Sequence, residues 1–368
     1  MSARTYDTAA RRWQGVGPYY AMFPTQFADE VVTEHTDHGE IVLDPFAGRG
    51  TAVFSAAHQG RQGIGIEVNP VGWVYAQTKL WPAEKESVAA RFEALGRESR
   101  KNGCDTESLP RFFHHCFSRR ILEFLVTARG ALDWQNDCTD RTTMALLLVY
   151  LHGKRGAALS NQMRQTKSMA PDYAVRWWRE RELAPPEFDP ATFLVNRLDW
   201  RYAKGRPQLE HSQVHLGDSE RCLPLIQEAL MSRGELVKLL FTSPPYFGLT
   251  NYHYDQWLRL WLLGGPPNAN RVQGSRDVRG KFENAVKYRA LLRNVFTNAA
   301  KLMAPSSVVY VRTGLGEVTF DTTVRALQEI FPHHTLQKRF RPYTRPTQTC
   351  LFGDCRKKAG EVDLVMFG

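Results

Sequence analysis

Ile41-Val42-Leu43-Asp44-Pro45-Phe46-Ala47-Gly48-Arg49-Gly50-Thr51 is the stretch that decides the fold. A short apolar run ends in an acid, a glycine-rich turn follows, and Thr51 to Gln59 then reads as a helix of small and apolar residues. Gly63 to Glu67 is a second apolar run, again ending in an acid, and Val71 to Leu80 carries the next helical pattern. Strand, turn, helix, strand, helix is the order of a parallel, doubly wound sheet. Gly48 and Gly50 let the backbone approach a ligand between a strand and a helix N-terminus. A dinucleotide fingerprint would carry a third glycine where Val53 stands. Taken alone, Gly-x-Gly would equally suit an ordinary strand-to-helix turn. Glu67 lies 23 residues beyond Asp44, at the next strand tip. A ribose-binding carboxylate belongs there in folds of this type.

Working outward, the character changes at about residue 82. Ser87 to Lys101, Ser118 to Asp133 and Arg141 to His152 have helical periodicity, and a proline-rich linker (Pro185, Pro186, Pro190) marks the end of the region. Strand-like runs resume at Gln213 to Gly217, Leu236 to Thr242 and Ser307 to Arg312, with helices over Ala285 to Met303 and Asp321 to Phe331. A terminal antiparallel hairpin is expected from Thr347 to Phe352 and Glu361 to Phe367. The expected fold is therefore α/β, a mostly parallel sheet with an antiparallel C-terminal hairpin and a helical insertion. Residues 1–81 form its N-terminal part, 82–206 the insertion and 207–368 the C-terminal part.

Composition narrows the class of protein. The chain has 368 residues, 43% of them hydrophobic and 23% charged, enough to bury a full core. No run approaches the roughly 18 apolar residues of a membrane span. The first residues lack a signal-peptide core, so a cytoplasmic location without membrane contact is expected. Six cysteines (Cys104, Cys116, Cys138, Cys222, Cys350, Cys355) lack disulfide or zinc spacing, so reduced thiols and no metal site are expected. The 48 basic against 38 acidic residues leave a charge of +10, which favours a polyanionic partner.

A third acid, Asp218, follows the strand Gln213 to Gly217. Acids at three strand ends suit a cationic, hydroxyl-bearing ligand such as S-adenosylmethionine better than a pyrophosphate. The most specific segment is Leu239-Leu240-Phe241-Thr242-Ser243-Pro244-Pro245-Tyr246-Phe247-Gly248. Pro244 and Pro245 fix φ and remove two backbone donors, leaving carbonyls free to face a ligand. Ser243 adds a small acceptor and Tyr246 an aromatic face. Methylating an amino group conjugated to a base ring demands this set. Acceptors hold its N–H groups while the nitrogen rehybridises, and the ring stacks on a base swung out of the duplex. Positioning then supplies most of the acceleration of an in-line displacement. Ring-carbon methylation would need an activated cysteine, and none of the six follows a proline or sits in such a strand-end loop.

At this point the pattern resembles the amino-methyltransferases of bacterial restriction–modification systems. Asp44-Pro45-Phe46-Ala47-Gly48-Arg49-Gly50 is similar to their cofactor loop and Thr242-Ser243-Pro244-Pro245-Tyr246 to their catalytic loop. Tyr20 to Phe27 resembles the element that wraps the methionine end of the cofactor. The resemblance implies a Rossmann-like methyltransferase fold and S-adenosylmethionine held by Phe23, Pro24, Thr25, Asp44, Phe46, Gly48, Gly50, Thr51, Glu67 and Asp218. Glu67 would take the ribose and Asp218 the adenine amino group. Ser-Pro-Pro-Tyr is commoner in the N4-cytosine enzymes of that family and Asp-Pro-Pro-Tyr in the N6-adenine ones. Double-stranded DNA would be the partner, with a cognate restriction endonuclease acting separately. The chain departs from the family in placing its long insertion before Asp218.

Basic residues interleaved with amides between Leu151 and Lys167 suggest DNA contacts through Lys154, Arg155, Arg164 and Lys167, although a solvated helix face would read the same. A second basic run contributes Arg276, Arg279 and Lys281 beside the catalytic loop. Lys338-Arg339-Phe340-Arg341 reads as alternating on a strand. Tyr254 and Trp257 are expected to pack beneath the site. Adenine N6, a structured RNA and a non-catalytic binding module stay open as alternatives to cytosine N4.

Overall fold

The computed structural model of the chain describes residues 6–18, 22–209, 211–248, 252–269, 284–341 and 360–368. Seven strands among them, β1 (Ile41–Asp44), β2 (Gln62–Glu67), β3 (Gln213–Leu216), β4 (Val237–Thr242), β5 (Met303–Gly314), β6 (Thr335–Arg341) and β7 (Glu361–Phe367), join in one sheet. The order is β3-β2-β1-β4-β5-β7-β6. Neighbours from β3 to β5 run parallel, while β7 is antiparallel to both β5 and β6. This is the Rossmann-like architecture expected from the sequence. The chain winds outward from β1 in one direction, then returns to β4 on its other side. The crevice at such a reversal, outside the carboxyl ends of the strands, is where open α/β sheets bind ligands.

The C-terminal hairpin needs correction. Over residues 361–367, β7 is paired on one side with β5 and on the other with β6, so Thr347 to Phe352 is not its partner. That segment lies outside the described residues. The true partner, Thr335–Arg341, is mostly exposed and carries three cations, as an edge strand guarded against further pairing should. Its polarity hid its strand character, although the alternation of Lys338 to Arg341 was legible.

Apolar residues cover both faces of the sheet. Phe23, Ala28, Val32, Ala52 and Ala56 pack on Leu239, Phe241 and Tyr310 from one side. Helices Ser219–Met231, Ala285–Ala300 and Glu317–Ile330 close the other, through residues such as Ile226, Phe296 and Leu327. Each such aliphatic or aromatic side chain contributes about 1.5–3 kcal/mol when fully buried.

Between β2 and β3 the chain is helical: Pro70–Leu80, Lys85–Asn102, Arg111–Cys116, Arg119–Ala131, Cys138–Tyr150, Pro171–Arg179 and Pro190–Tyr202. Their starts follow local chemistry. Asp137 accepts from Asp140 N at 2.7 Å and Asp189 from Thr192 N at 2.8 Å, each capping a helix. Pro171 and Pro190 occupy first-turn positions, where a missing N–H costs nothing. Pro190 thus opens the last helix rather than ending the region. The insertion shares one apolar cluster with the helix Pro70–Leu80, in which Val74 and Tyr75 join Phe113, Leu147 and Trp261. No described helix is long and apolar enough to cross a membrane.

Candidate active site

The two segments singled out from the sequence meet at the reversal between β1 and β4. After β1 the backbone turns through Gly48 (φ 54°) and Gly50 (φ 72°), both in the left-handed region that other residues reach only with strain. Gly50 is doubly constrained, because a Cβ there would stand 2.7 Å from the Ala76 methyl. The turn closes with Gly50 N donating to Ala47 O at 2.7 Å and leads into the helix Thr51–His58.

Two buried carboxylates organise this turn. Glu67, at the tip of β2, accepts from Gly48 N at 2.6 Å through Oε2 and from Asn69 N at 2.8 Å through Oε1. Asp44 Oδ1 accepts from Phe46 N at 3.1 Å and from Thr242 Oγ1 at 2.6 Å. The second bond fastens the cofactor-loop strand to the residue before Ser243. Burial, the largest influence on each, pushes Glu67 up to about 8 and Asp44 up to about 7. Their accepted hydrogen bonds oppose the rise, and Asp44 adds to it at Glu67. Among the described residues neither acid has a cation within salt-bridge reach, so the ionised pair is uncompensated.

Asp218 has a different place. It is half-buried and caps the helix Ser219–Met231, accepting from Glu220 N at 2.8 Å. The next residue donates from Ser219 Oγ to Pro45 O at 2.5 Å, which brings this strand end against the glycine turn. Phe23 is buried and stacks on Phe241 of β4, centroids 4.6 Å apart and planes 15° from parallel. Pro24 is exposed and precedes the helix Thr25–His35, which Thr25 begins. Phe46 is half-buried, and the Thr51 hydroxyl is buried without a hydrogen-bond partner.

Residues 243–246 follow β4. Ser243 Oγ donates to Tyr246 Oη at 3.5 Å, and Tyr246 Oη donates to Glu361 Oε1 at 3.1 Å. The Tyr246 ring lies against Gly314, where a Cβ would approach to 3.3 Å. Pro244 is buried, Pro245 half-buried, and Phe247 N donates to Thr319 Oγ1 at 3.2 Å.

Glu361 was not among the residues anticipated, nor was the group behind it. Asp363, fully buried, accepts from Arg312 Nε at 2.6 Å, Tyr310 Oη at 2.9 Å and Arg341 Nε at 3.0 Å. Burial alone would raise the Asp363 carboxyl, but Arg312 foremost, then Arg341 and Tyr310, hold it below the ordinary range. Arg312 lies 3.6 Å over the Phe27 ring, a cation–π contact that joins this network to the segment bearing Phe23. Two acids two residues apart on the otherwise apolar β7 were the available signal. Their partners come from strands far away in sequence.

Two of the DNA-contact residues suggested by composition have side-chain partners within the chain. Lys167 Nζ pairs with Asp255 at 2.6 Å, and Arg155 Nε donates to Ala184 O at 3.0 Å. Arg164 and Lys154 are exposed. The amides between them are structural: Asn161 donates to His115 O and Leu183 O, and Gln162 accepts from Arg155 N. Trp257 is buried, as expected. Arg276, Arg279 and Lys281 lie outside the described residues, as do Cys350 and Cys355.

Residues 3–73, from the N-terminal helix through the glycine turn and Glu67, match the family described as DNA methylase. Over short stretches the chain is also similar to curated type II methyltransferases. M.MjaII of Methanocaldococcus jannaschii is 33% identical over 66 residues, 18% of this chain and 12% of that protein. M.Cfr9I of Citrobacter freundii is 41% identical over 54 residues, 15% of this chain and 18% of that one. The chain thus matches less than a fifth of the length of these relatives. Among solved structures, an rRNA methyltransferase of Streptomyces viridochromogenes aligns over 99% of this chain and 96% of its own, with 13% identity and a TM-score of 0.34. Within the matched residues lie Phe23, Asp44, Gly48, Gly50 and Glu67.

Proposed function

We propose that the protein transfers a methyl group from S-adenosylmethionine to an exocyclic amino group of a base in double-stranded DNA, with cytosine N4 as the target. The observation that carries this reading is the bond from Thr242 Oγ1 to Asp44 Oδ1. It ties the strand end bearing Ser243 and Tyr246 to the turn of a DNA methylase segment.

The donor set suits the cofactor. Buried Asp44 and Glu67, with no cation partner among the described residues, favour a ligand that brings positive charge and hydroxyls, and the Gly48–Gly50 turn presents backbone without side chains. Glu67 would hold the ribose, Asp218 the adenine amino group, and Phe23, Pro24 and Thr25 the methionine end. When bound, S-adenosylmethionine supplies a methyl on a sulfonium sulfur. The chain's own work is to place the acceptor nitrogen in line with that methyl. Ser243 and the carbonyls exposed by Pro244 and Pro245 accept the amino hydrogens, and the Tyr246 ring stacks on the extruded base.

Ser243 favours cytosine N4, since an aspartate at this position accompanies adenine N6 in the family that the motif resembles. Incubation with duplex DNA and methyl-labelled cofactor, digestion to nucleosides and mass spectrometry should give N4-methylcytosine. Methyladenine would refute the choice of base, and label confined to RNA would refute DNA as substrate.

A further inference from the structure

A cleft of about 760 Å³ opens in the insertion between the helices Arg111–Cys116 and Pro171–Arg179. Three arginines line it: Arg111 from the first helix, Arg176 and Arg179 from the second. All three are exposed, and none has a carboxylate within salt-bridge distance among the described residues. Arg111 donates only to His115 Nε2, at 3.4 Å, and Arg176 lies 5.9 Å from the Tyr173 ring centroid.

The two acids of the cleft are otherwise placed. Glu180 pairs with Arg181 at 3.3 Å, and Asp172 sits in the first turn of its helix, where the macrodipole favours a negative charge. His115 registers the resulting field: burial, then Arg179 and Arg111, push its pKa down. The apolar walls include Phe112 and Tyr254. Tyr254 follows Tyr246 by only eight residues, which sets the cleft beside the chain leaving the catalytic loop.

We propose that this cleft holds a stretch of the phosphodiester backbone of the DNA whose base is methylated. The inference rests on the reading of DNA as substrate. Uncommitted guanidinium groups along a groove are the usual means of gripping phosphates, because forked N–H donors match phosphate oxygens and each contact releases a counterion. Lys167 and Arg155, although basic, already serve Asp255 and a backbone carbonyl, which leaves the cleft arginines as the freer cations.

The test measures the affinity of the full chain for a fluorescein-labelled DNA duplex, with S-adenosylmethionine present, between about 50 and 200 mM salt. The variant combines Arg111→Ala, Arg176→Ala and Arg179→Ala. Each lost phosphate contact takes about 0.9 off the slope of log affinity against log salt, so the slope should become shallower by about 2–3. A triple lysine variant should recover most of the slope, while cofactor affinity and melting temperature stay at wild-type values. An unchanged slope in the alanine variant, with the wild type still binding duplex, overturns the cleft alone. A wild-type protein that binds RNA or an acidic peptide but no duplex at the lowest salt overturns the cleft together with the DNA reading.

Discussion

The reversal point of the sheet and the cleft of the insertion are opposites. At the reversal point two carboxylates, Asp44 and Glu67, are buried without a cation partner among the described residues. In the cleft three arginines stand in solvent without an acid partner among the described residues. The first arrangement is costly, because burial disfavours the charged form of each acid, and it suits a small cation enclosed by the protein. The second costs little, since exposed guanidinium groups keep their water until a polyanion displaces it. A protein that must enclose one ligand and grip another from outside has reason to place its desolvated charges in the first place and its solvated charges in the second.

The largest expected effect separates chemistry from binding. Tyr246→Ala should lower kcat by about 10²-fold or more, as expected when a group that orients the reacting base is removed, while cofactor affinity changes by less than about threefold. Single-turnover assays with duplex DNA, beside calorimetric titration of the cofactor, measure the two. A comparable loss of cofactor affinity would show that Tyr246 belongs to the cofactor half of the site.

The second effect tests the buried acids through pH. Asp44 and Glu67 are raised to about 7 and about 8 in the folded chain, above their ordinary values near 4. The folded state therefore holds protons that the unfolded chain releases. The stability this provides is complete below about pH 4 and is lost as pH rises through 7 to 8, at on the order of 1 kcal/mol per pH unit for each group. A cationic ligand favours the ionised acids, so its affinity should rise over the same interval. Melting temperatures at pH 6 and 8, with and without S-adenosylmethionine, should show a lower apo value and a larger ligand shift at pH 8. Equal ligand shifts would remove Asp44 and Glu67 from the cofactor contacts. DNA affinity through the arginine cleft should show no such rise.

The same contrast explains what was legible in the sequence. The β1 turn is local: an apolar run, Asp44, Gly48 and Gly50 carry their own backbone requirement, and Glu67 follows one helix later. Residues 243–246 are local in the same sense. Their meeting was only implied, because the Thr242–Asp44 bond depends on β4 lying beside β1 across nearly 200 residues. The cleft could not be seen at all, since Arg111 and the pair Arg176 and Arg179 come together through packing of two helices. The basic run from Lys154 to Lys167 looked more promising, yet Asn161, Gln162 and Arg155 serve the insertion's own fold and Lys167 pairs with Asp255. At the C-terminus, β6 was obscured by its exposed, polar edge, and the role of Glu361 by the long-range pairing that sets it opposite Gly314.

Glu361 offers the smallest effect and the sharpest test of how the reversal point is built. It accepts the Tyr246 hydroxyl from the start of β7 and lies 4.0 Å from Arg312, so under the proposed function it would act as a positioning residue for that ring. One hydrogen bond of this kind is worth about 1–1.5 kcal/mol. Glu361→Ala should therefore lower kcat by about 5–10-fold, with KM for DNA and cofactor unchanged. Glu361→Gln keeps an oxygen acceptor at the same reach and should recover most of the rate. A purely structural role would move the melting temperature of both variants together and leave kcat per folded molecule constant. If instead the glutamine variant is as slow as the alanine one, the charge of Glu361 matters rather than its grip on Tyr246. The reversal point would then hold a third functional carboxylate, and the contrast with the cleft would be deeper than the first two acids alone make it.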